Sequence, residues 1–406
     1  MSEALLSSPP ANVSLGSSKA FELLCACCAA KPNPEQAARL ANYLFADCDW
    51  EEFFRLAEHH GVVALAARTL IEHAPALPPE IKRSLASAYA ENFRRSLWFA
   101  AELMRIMQHL TQKQVHAIPY KGPTLAQSVY GDLALRSFSD LDLLISPADF
   151  GRARQALVEI GYQPSKPLTP AVERLWLRTG YERSFDGPGG KNLLELQWAL
   201  LPYFYAVDPA QFQFDDLRSR AGQIALGTGV DSGLPCLSPE DSLLVLSLHA
   251  AKHLWTRLIW VADIAQSLHV AHIDLALVIS RARALGITRI LGVSFWLAQR
   301  LLGAVIPSTA QALIDGDSEI PLLGGECAAR LSRCASYDFE STEYFRQTLR
   351  LRERRSDRWR YLWRLVWTPG QGDIDAVQLP EIMFSLYRGV RLGRLLGKLA
   401  RSAAQK

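Results

Sequence analysis

Val115-His116-Ala117-Ile118-Pro119-Tyr120 is the first short β-branched and aromatic run in a chain that is helical in pattern up to that point. Upstream, Glu35–Ala46, Trp50–His59 and Ile81–Leu110 carry apolar residues at three- and four-residue steps, the spacing of one buried helix face. Pro32, Pro34, Pro75, Pro78 and Pro79 punctuate the gaps between them. The run at Val115 ends at Lys121-Gly122-Pro123, which reads as a strand, a turn and a helix start with Pro at the first helical position. A chain that changes period here has to build a sheet between two helical regions.

The same texture continues to Trp198. A helix over Thr124–Tyr130 stops at Gly131, and a loop through Arg136 leads to Asp140–Ile145, whose alternating start suggests a half-buried strand. Ser146-Pro147-Ala148-Asp149 has a capping-box pattern and opens a helix that ends at Ile160-Gly161. Glu182–Asp186 and Asn192–Trp198 flank Gly187-Pro188-Gly189-Gly190, a hairpin signal. The order β-α-β-α-β-β implies an α+β fold with a small mixed, partly antiparallel sheet. Beyond it, Ser238-Pro239-Glu240-Asp241 is a strong helix start, and helical patterns continue to about Arg401. The expected division is a loose tail over 1–19, a helical region over 20–112, a sheet-bearing core over 113–235 and a C-terminal helical domain with a basic tail over 236–406.

Composition narrows the function. A net charge of +3 is too small to imply nucleic-acid binding, so any basic site must be local. Cys25 and Cys28 have CxxC spacing, but no second pair completes a zinc site; the seven cysteines read as buried thiols of a reducing compartment. The start of the chain lacks a basic-then-apolar signal pattern. No apolar run approaches the ~20 residues that span a bilayer, and the longest, Leu291–Ile306, is broken by Arg300. The expected location is cytoplasmic.

The chemistry concentrates in Asp140-Leu141-Asp142. Successive strand side chains point to opposite faces, so Asp140 and Asp142 project together while Leu141, Leu143 and Ile145 enter a core. Two carboxylates on one face repel each other unless a cation lies between them, and hard carboxylate oxygens suit Mg²⁺. Asp-x-Asp alone is a weak signal; its placement after Lys121-Gly122 strengthens it. A helix N-terminus offers free N–H groups to a triphosphate, glycine allows close backbone approach, and Lys121 adds charge. Arg136 could pair with phosphate or with the acids. Glu195 interrupts an apolar strand and is the candidate third acid, either completing a metal site or taking a proton from an acceptor hydroxyl.

Lys121-Gly122, Tyr130-Gly131, Arg136, Asp140-Leu141-Asp142-Leu143-Leu144 and the helix end Gly161-Tyr162 together resemble a bacterial uncharacterised nucleotidyltransferase family of the polymerase-β superfamily. Asp49-Trp50 with Leu56–Val62, and Leu237–Asp241 with Leu248–His253 and Trp260–Asp263, are similar to that family's flanking helical regions. The resemblance implies Mg²⁺-dependent transfer of a nucleoside monophosphate from an NTP to an acceptor, with release of pyrophosphate. It also implies that Asp140, Asp142 and Glu195 hold metal. The chain departs from the superfamily at Pro123, where Ser or Gly is usual, so Thr124 would have to supply any hydroxyl contact with phosphate. It departs again at Gln197, where relatives often carry His. A catalytically idle nucleotide-binding or interaction protein, and a phosphotransferase using the same metal site, are the alternatives.

His249 and His253 lie four apart on one helix face, either as packing groups or, with Lys252 or Arg257, as auxiliary contacts to nucleotide or acceptor. The Arg- and Trp-rich stretch Arg350–Trp367 and the basic end Arg388–Lys406 read as amphipathic helix with a solvated Arg face, or as a surface for RNA or lipid.

Overall fold

Five short strands form one mixed sheet in this computed structural model: β1 (Ala117–Pro119), β2 (Asp140–Ile145), β3 (Gln163–Pro164), β4 (Glu182–Asp186) and β5 (Leu193–Gln197). The structure describes residues 18–404 except 30–33, 42–44, 46–47, 208–211, 227–232, 270–272, 336–337 and 339–340; of the tail expected over 1–19, residues 1–17 lie outside the described residues, and Ser18 caps a helix that starts at Lys19. The strand order is β1-β2-β5-β4-β3. β2 pairs antiparallel with β1 and parallel with β5; β4 pairs antiparallel with both β5 and β3. A parallel pair needs a long crossover. Here it contains the helix Phe150–Glu159, β3, the helix Pro170–Thr179 and β4. The sequence pattern missed two of these. β3 has only two residues, one of them Pro164, and the helix at Pro170 is announced by the Thr169 cap, whose hydroxyl accepts from Val172 N. The turn between β4 and β5 uses Gly189 and Gly190 at φ +68° and +66°, a region costly for other residues.

The sheet is covered on both faces. Leu141, Leu143 and Ile145 join Leu194 and Leu196 against Phe99, Leu103 and Ile106 of the helix Pro79–Gln112. Ile118, Tyr120 and Leu144 pack on the other face with Phe214, Leu217, Leu237 and Val245. β2 is therefore almost fully buried rather than half-buried. A second, smaller sheet pairs β6 (Gly222–Ile224) with β7 (Leu234–Cys236).

The N-terminal and C-terminal helical regions share one core. Phe21, Phe53, Leu56 and Leu70 pack in the same cluster as Leu244, Trp255, Leu291, Phe295 and Leu331. Each helix has one apolar face, and burying such a Leu or Phe side chain is worth about 1.5–3 kcal/mol, so the two regions cover each other instead of standing as separate bodies. A polar contact seals them: buried His60 Nδ1 accepts from Leu258 N at 3.3 Å.

The Ser238 cap forms as expected, its hydroxyl accepting from Asp241 N at 3.2 Å. The capping box at Ser146 does not. A 3-10 turn, Pro147–Asp149, precedes the helix, Ser146 makes no side-chain cap, and the Asp149 carboxylate goes to Arg152. Cys25, Cys27 and Cys28 are buried free thiols, and burial pushes all three up in pKa. Among the described residues no helix is long and apolar enough to cross a membrane.

Candidate functional site

β1 delivers the chain to Lys121 and to Gly122, which takes φ +59°. A Cβ at Gly122 would lie 3.6 Å from Asp140 O, so the turn sits against the first residue of β2. The helix that follows, Gly122–Leu125, is one turn long and passes into a π turn, Ala126–Tyr130, capped by Gly131. Thr124, expected to meet phosphate, is buried with its hydroxyl within reach of the Lys121 and Pro119 carbonyls, at 2.9 and 3.1 Å.

The parallel register sets Asp142 opposite Glu195, so the two acids share a sheet face although 53 residues separate them in sequence. Asp140 and Gln197 lie on that face by strand alternation, and Glu182 of β4 stands opposite Gln197. Lys121 Nζ reaches Asp142 Oδ1 at 2.6 Å and lies 3.5 Å from His249 Nδ1. Gln197 Nε2 donates to Glu195 Oε2 at 2.9 Å and to Asp142 Oδ1 at 3.2 Å, while its Oε1 accepts from Tyr120 OH at 2.6 Å. Gln197 thus bridges two of the expected acids. Glu182 and Tyr120 were not anticipated; the two-residue period of β5 and the hairpin register were the signals that pointed to this face.

Charge on the face is unbalanced. Asp140, Asp142, Glu195 and Glu182 supply four carboxylates against the ammonium groups of Lys121 and Lys252. Burial first, then Asp142 and Glu182, push the Glu195 carboxyl up to about 8. Burial and Asp142 also raise Asp140. Burial opposes the charge of Lys121, but Asp142, Glu195 and Asp140 outweigh it and raise its pKa. Burial lowers Lys252 despite Glu182, and its Nζ lies 3.4 Å from Tyr181 OH. Glu182 Oε2 is buried and has no hydrogen-bond partner. A buried oxygen left unpaired is costly, and it is the kind of atom a bound cation satisfies.

Arg136 pairs with an acid outside those weighed from sequence. Its guanidinium forks onto buried Asp263, Nε to Oδ1 at 2.9 Å and Nη2 to Oδ2 at 3.0 Å, and Tyr130 OH donates to the same carboxylate at 2.8 Å. A carboxylate that deep needs a counterion, and Arg136 supplies it.

The rings of His249 and His253 pack on each other and on Trp260, with centroids 4.9–5.3 Å apart. Burial, then neighbouring Lys121 for His249 and Lys252 for His253, pushes both pKa values well down, which keeps the rings neutral. Among the described residues no group of three or more His, Cys, Asp or Glu side chains stands ready to hold a metal ion. Asp140, Asp142 and Glu195 share a face, but in this conformation Lys121 and Gln197 occupy the Asp142 carboxylate. The donor chemistry nonetheless suits a hard divalent cation: oxygen ligands, surplus negative charge and one orphaned carboxylate oxygen.

A mixed α+β fold with acids gathered beside a Lys-Gly helix start is consistent with a nucleotidyltransferase-type protein. The chain belongs to a family described as an uncharacterised nucleotidyltransferase, whose model matches residues 46–303. That span takes in the sheet and the helical regions on either side of it through the helix Thr288–Leu302. No curated protein and no solved structure is matched.

Proposed function

We propose that this protein has a polymerase-β-like core and transfers a nucleoside monophosphate from an NTP to a small-molecule, sugar or peptide acceptor, releasing pyrophosphate. The observation that carries the reading is the surplus of carboxylates on one sheet face beside Lys121 and Gly122. Asp140 and Asp142, with Glu195 beside them, would hold Mg²⁺. When bound, the ion supplies positive charge to the phosphates in transfer. Lys121 and the backbone at Gly122 hold the triphosphate. An acceptor oxygen bonds to the α-phosphorus, the bond to the bridging oxygen breaks, pyrophosphate leaves with that electron pair, and the acceptor's proton passes to Glu195. The Tyr120–Gln197 hydrogen bond orients the amide that holds Glu195 and Asp142 in place.

The test is a screen of labelled NTPs with Mg²⁺ against small-molecule extract, wild type beside Asp142→Asn. Pyrophosphate release in the wild type should fall about 10²–10³-fold in the variant. Equal activity in both sinks the proposal. Product mass separates a nucleotidyl adduct from a simple phosphate adduct, which would mark phosphotransfer.

One observation favours a second reading, an idle nucleotide-binding protein: Lys121 already neutralises Asp142. That reading expects NTP binding with no turnover for any acceptor.

A further inference from the structure

A cavity of about 140 Å³ opens beside Tyr181. That is close to the size of an engineered cavity that holds benzene, of the order of 150 Å³. Its walls come from two distant parts of the chain. One carries Tyr181, just before β4, with Phe204; the other carries Arg391, Arg394 and Lys398 of the helix Tyr387–Ala404. Asp373 lines the cavity beside these three cations. Asp373 fixes the two arginines: Arg391 Nη1 reaches its Oδ2 at 3.0 Å and Arg394 Nη1 its Oδ1 at 2.5 Å.

Tyr181 joins this cavity to the acidic face. Tyr181 lines the cavity, and its hydroxyl lies 3.4 Å from Lys252 Nζ. The layout across the sheet is directional. Lys121 follows β1, the paired aspartates are on β2, Glu195 is on β5, and Tyr181 precedes β4. In-line displacement needs the leaving phosphates and the incoming nucleophile on opposite sides of the reacting phosphorus. With the triphosphate at Lys121, the nucleophile approaches from the opposite strand end, where Tyr181 borders this cavity.

We infer that the cavity beside Tyr181 is the acceptor subsite, and that it takes a ring-sized molecule bearing an anionic group, the ring against Tyr181 and Phe204 and the anion toward Arg394 and Lys398. This rests on the nucleotidyl-transfer reading above.

The test is calorimetric titration of the full chain with phenyl phosphate, with inorganic phosphate and phenol as part-probes. Phenyl phosphate should bind more tightly than either part. Asp142→Asn, which removes turnover, should bind it as well as wild type does. The double variant Arg394→Ala/Lys398→Ala should lose about tenfold in affinity or more, as expected for lost hydrogen bonds to a charged group. Thr179→Phe, which fills the cavity from the opposite wall and leaves the Asp373 pairs intact, should lose binding too, with circular dichroism confirming the fold. No binding of phenyl phosphate at millimolar concentration, inorganic phosphate binding equally well, or unchanged affinity in Thr179→Phe overturns the inference. Binding as expected without pyrophosphate release for any acceptor would instead defeat the transfer reading and leave an anion-binding cavity.

Discussion

Lys121 Nζ stands 2.6 Å from Asp142 Oδ1, with both side chains buried. The ammonium occupies the position of the positive charge that paired acids require. A divalent cation arriving at Asp142 has to share that carboxylate with Lys121, and incoming phosphates give Lys121 a second anionic partner. Metal and NTP should therefore bind together better than either binds alone.

Lys121→Met tests this coupling. Removing a unit charge beside Asp142 should tighten binding of Mn²⁺ alone by about tenfold or more, while NTP turnover is lost. Titration followed by the Mn²⁺ paramagnetic signal reads the first effect. Weaker Mn²⁺ binding in the variant would show that Lys121 assists the ion instead of competing with it.

Glu195 gives a pH signature. Its carboxyl moves from an ordinary 4.5 to about 8 on folding, so between those values the folded protein keeps a proton that the unfolded chain has lost. The penalty of its ionised form is absent below 4.5, grows through this interval and is complete above about 8. His249 and His253 act the other way only below their ordinary 6.5, so above that value the acid acts without them. Cation-free protein should lose thermal stability from there to about 8, and Glu195→Gln should flatten the slope. Binding of Mg²⁺ with NTP at pH 7 should release a proton, seen as a heat of binding that changes with the buffer.

Asp263→Ala should destabilise the protein by about 3–5 kcal/mol in chemical denaturation, because it strands buried Arg136 without its counterion. Replacing Arg136 and Asp263 together by apolar residues of similar volume should recover much of the loss. If Arg136→Lys weakened NTP binding while leaving stability untouched, the role of Arg136 would be contact with phosphate after all.

Gly122→Ala should cost about 1–2 kcal/mol, since a Cβ is disfavoured at φ +59°. The space itself is not tight: Asp140 O would lie 3.6 Å away and Leu141 Cδ2 3.7 Å. Activity should fall by more than stability does, because any relaxation of this turn moves the helix start relative to Asp140. A Michaelis constant for NTP unchanged in the variant would count against the turn as the triphosphate cradle.

The acidic strand was legible because strand alternation is a local property of backbone geometry. Asp140-Leu141-Asp142 sends its carboxylates one way wherever the strand ends up. The Ser238 helix start was legible for a similar reason, since its cap closes within three residues. Ser146 carries the same kind of local signal and still failed as a cap, because a 3-10 turn and Arg152 took the partners it needed.

The sequence by itself determined the order of periods along the chain, the acids on β2 and the Lys-Gly turn before them. Only the tertiary structure decided which cation meets which acid. Lys121 went to Asp142, Arg136 went to Asp263, and the parallel register put Glu195 beside Asp142. It also set Glu182 opposite Gln197 and brought Lys252, expected only as an auxiliary contact, within 3.4 Å of Tyr181 OH. Partners far apart in sequence are selected by the free energy of burying charge and apolar surface over the whole chain. That sum is not written in any one segment.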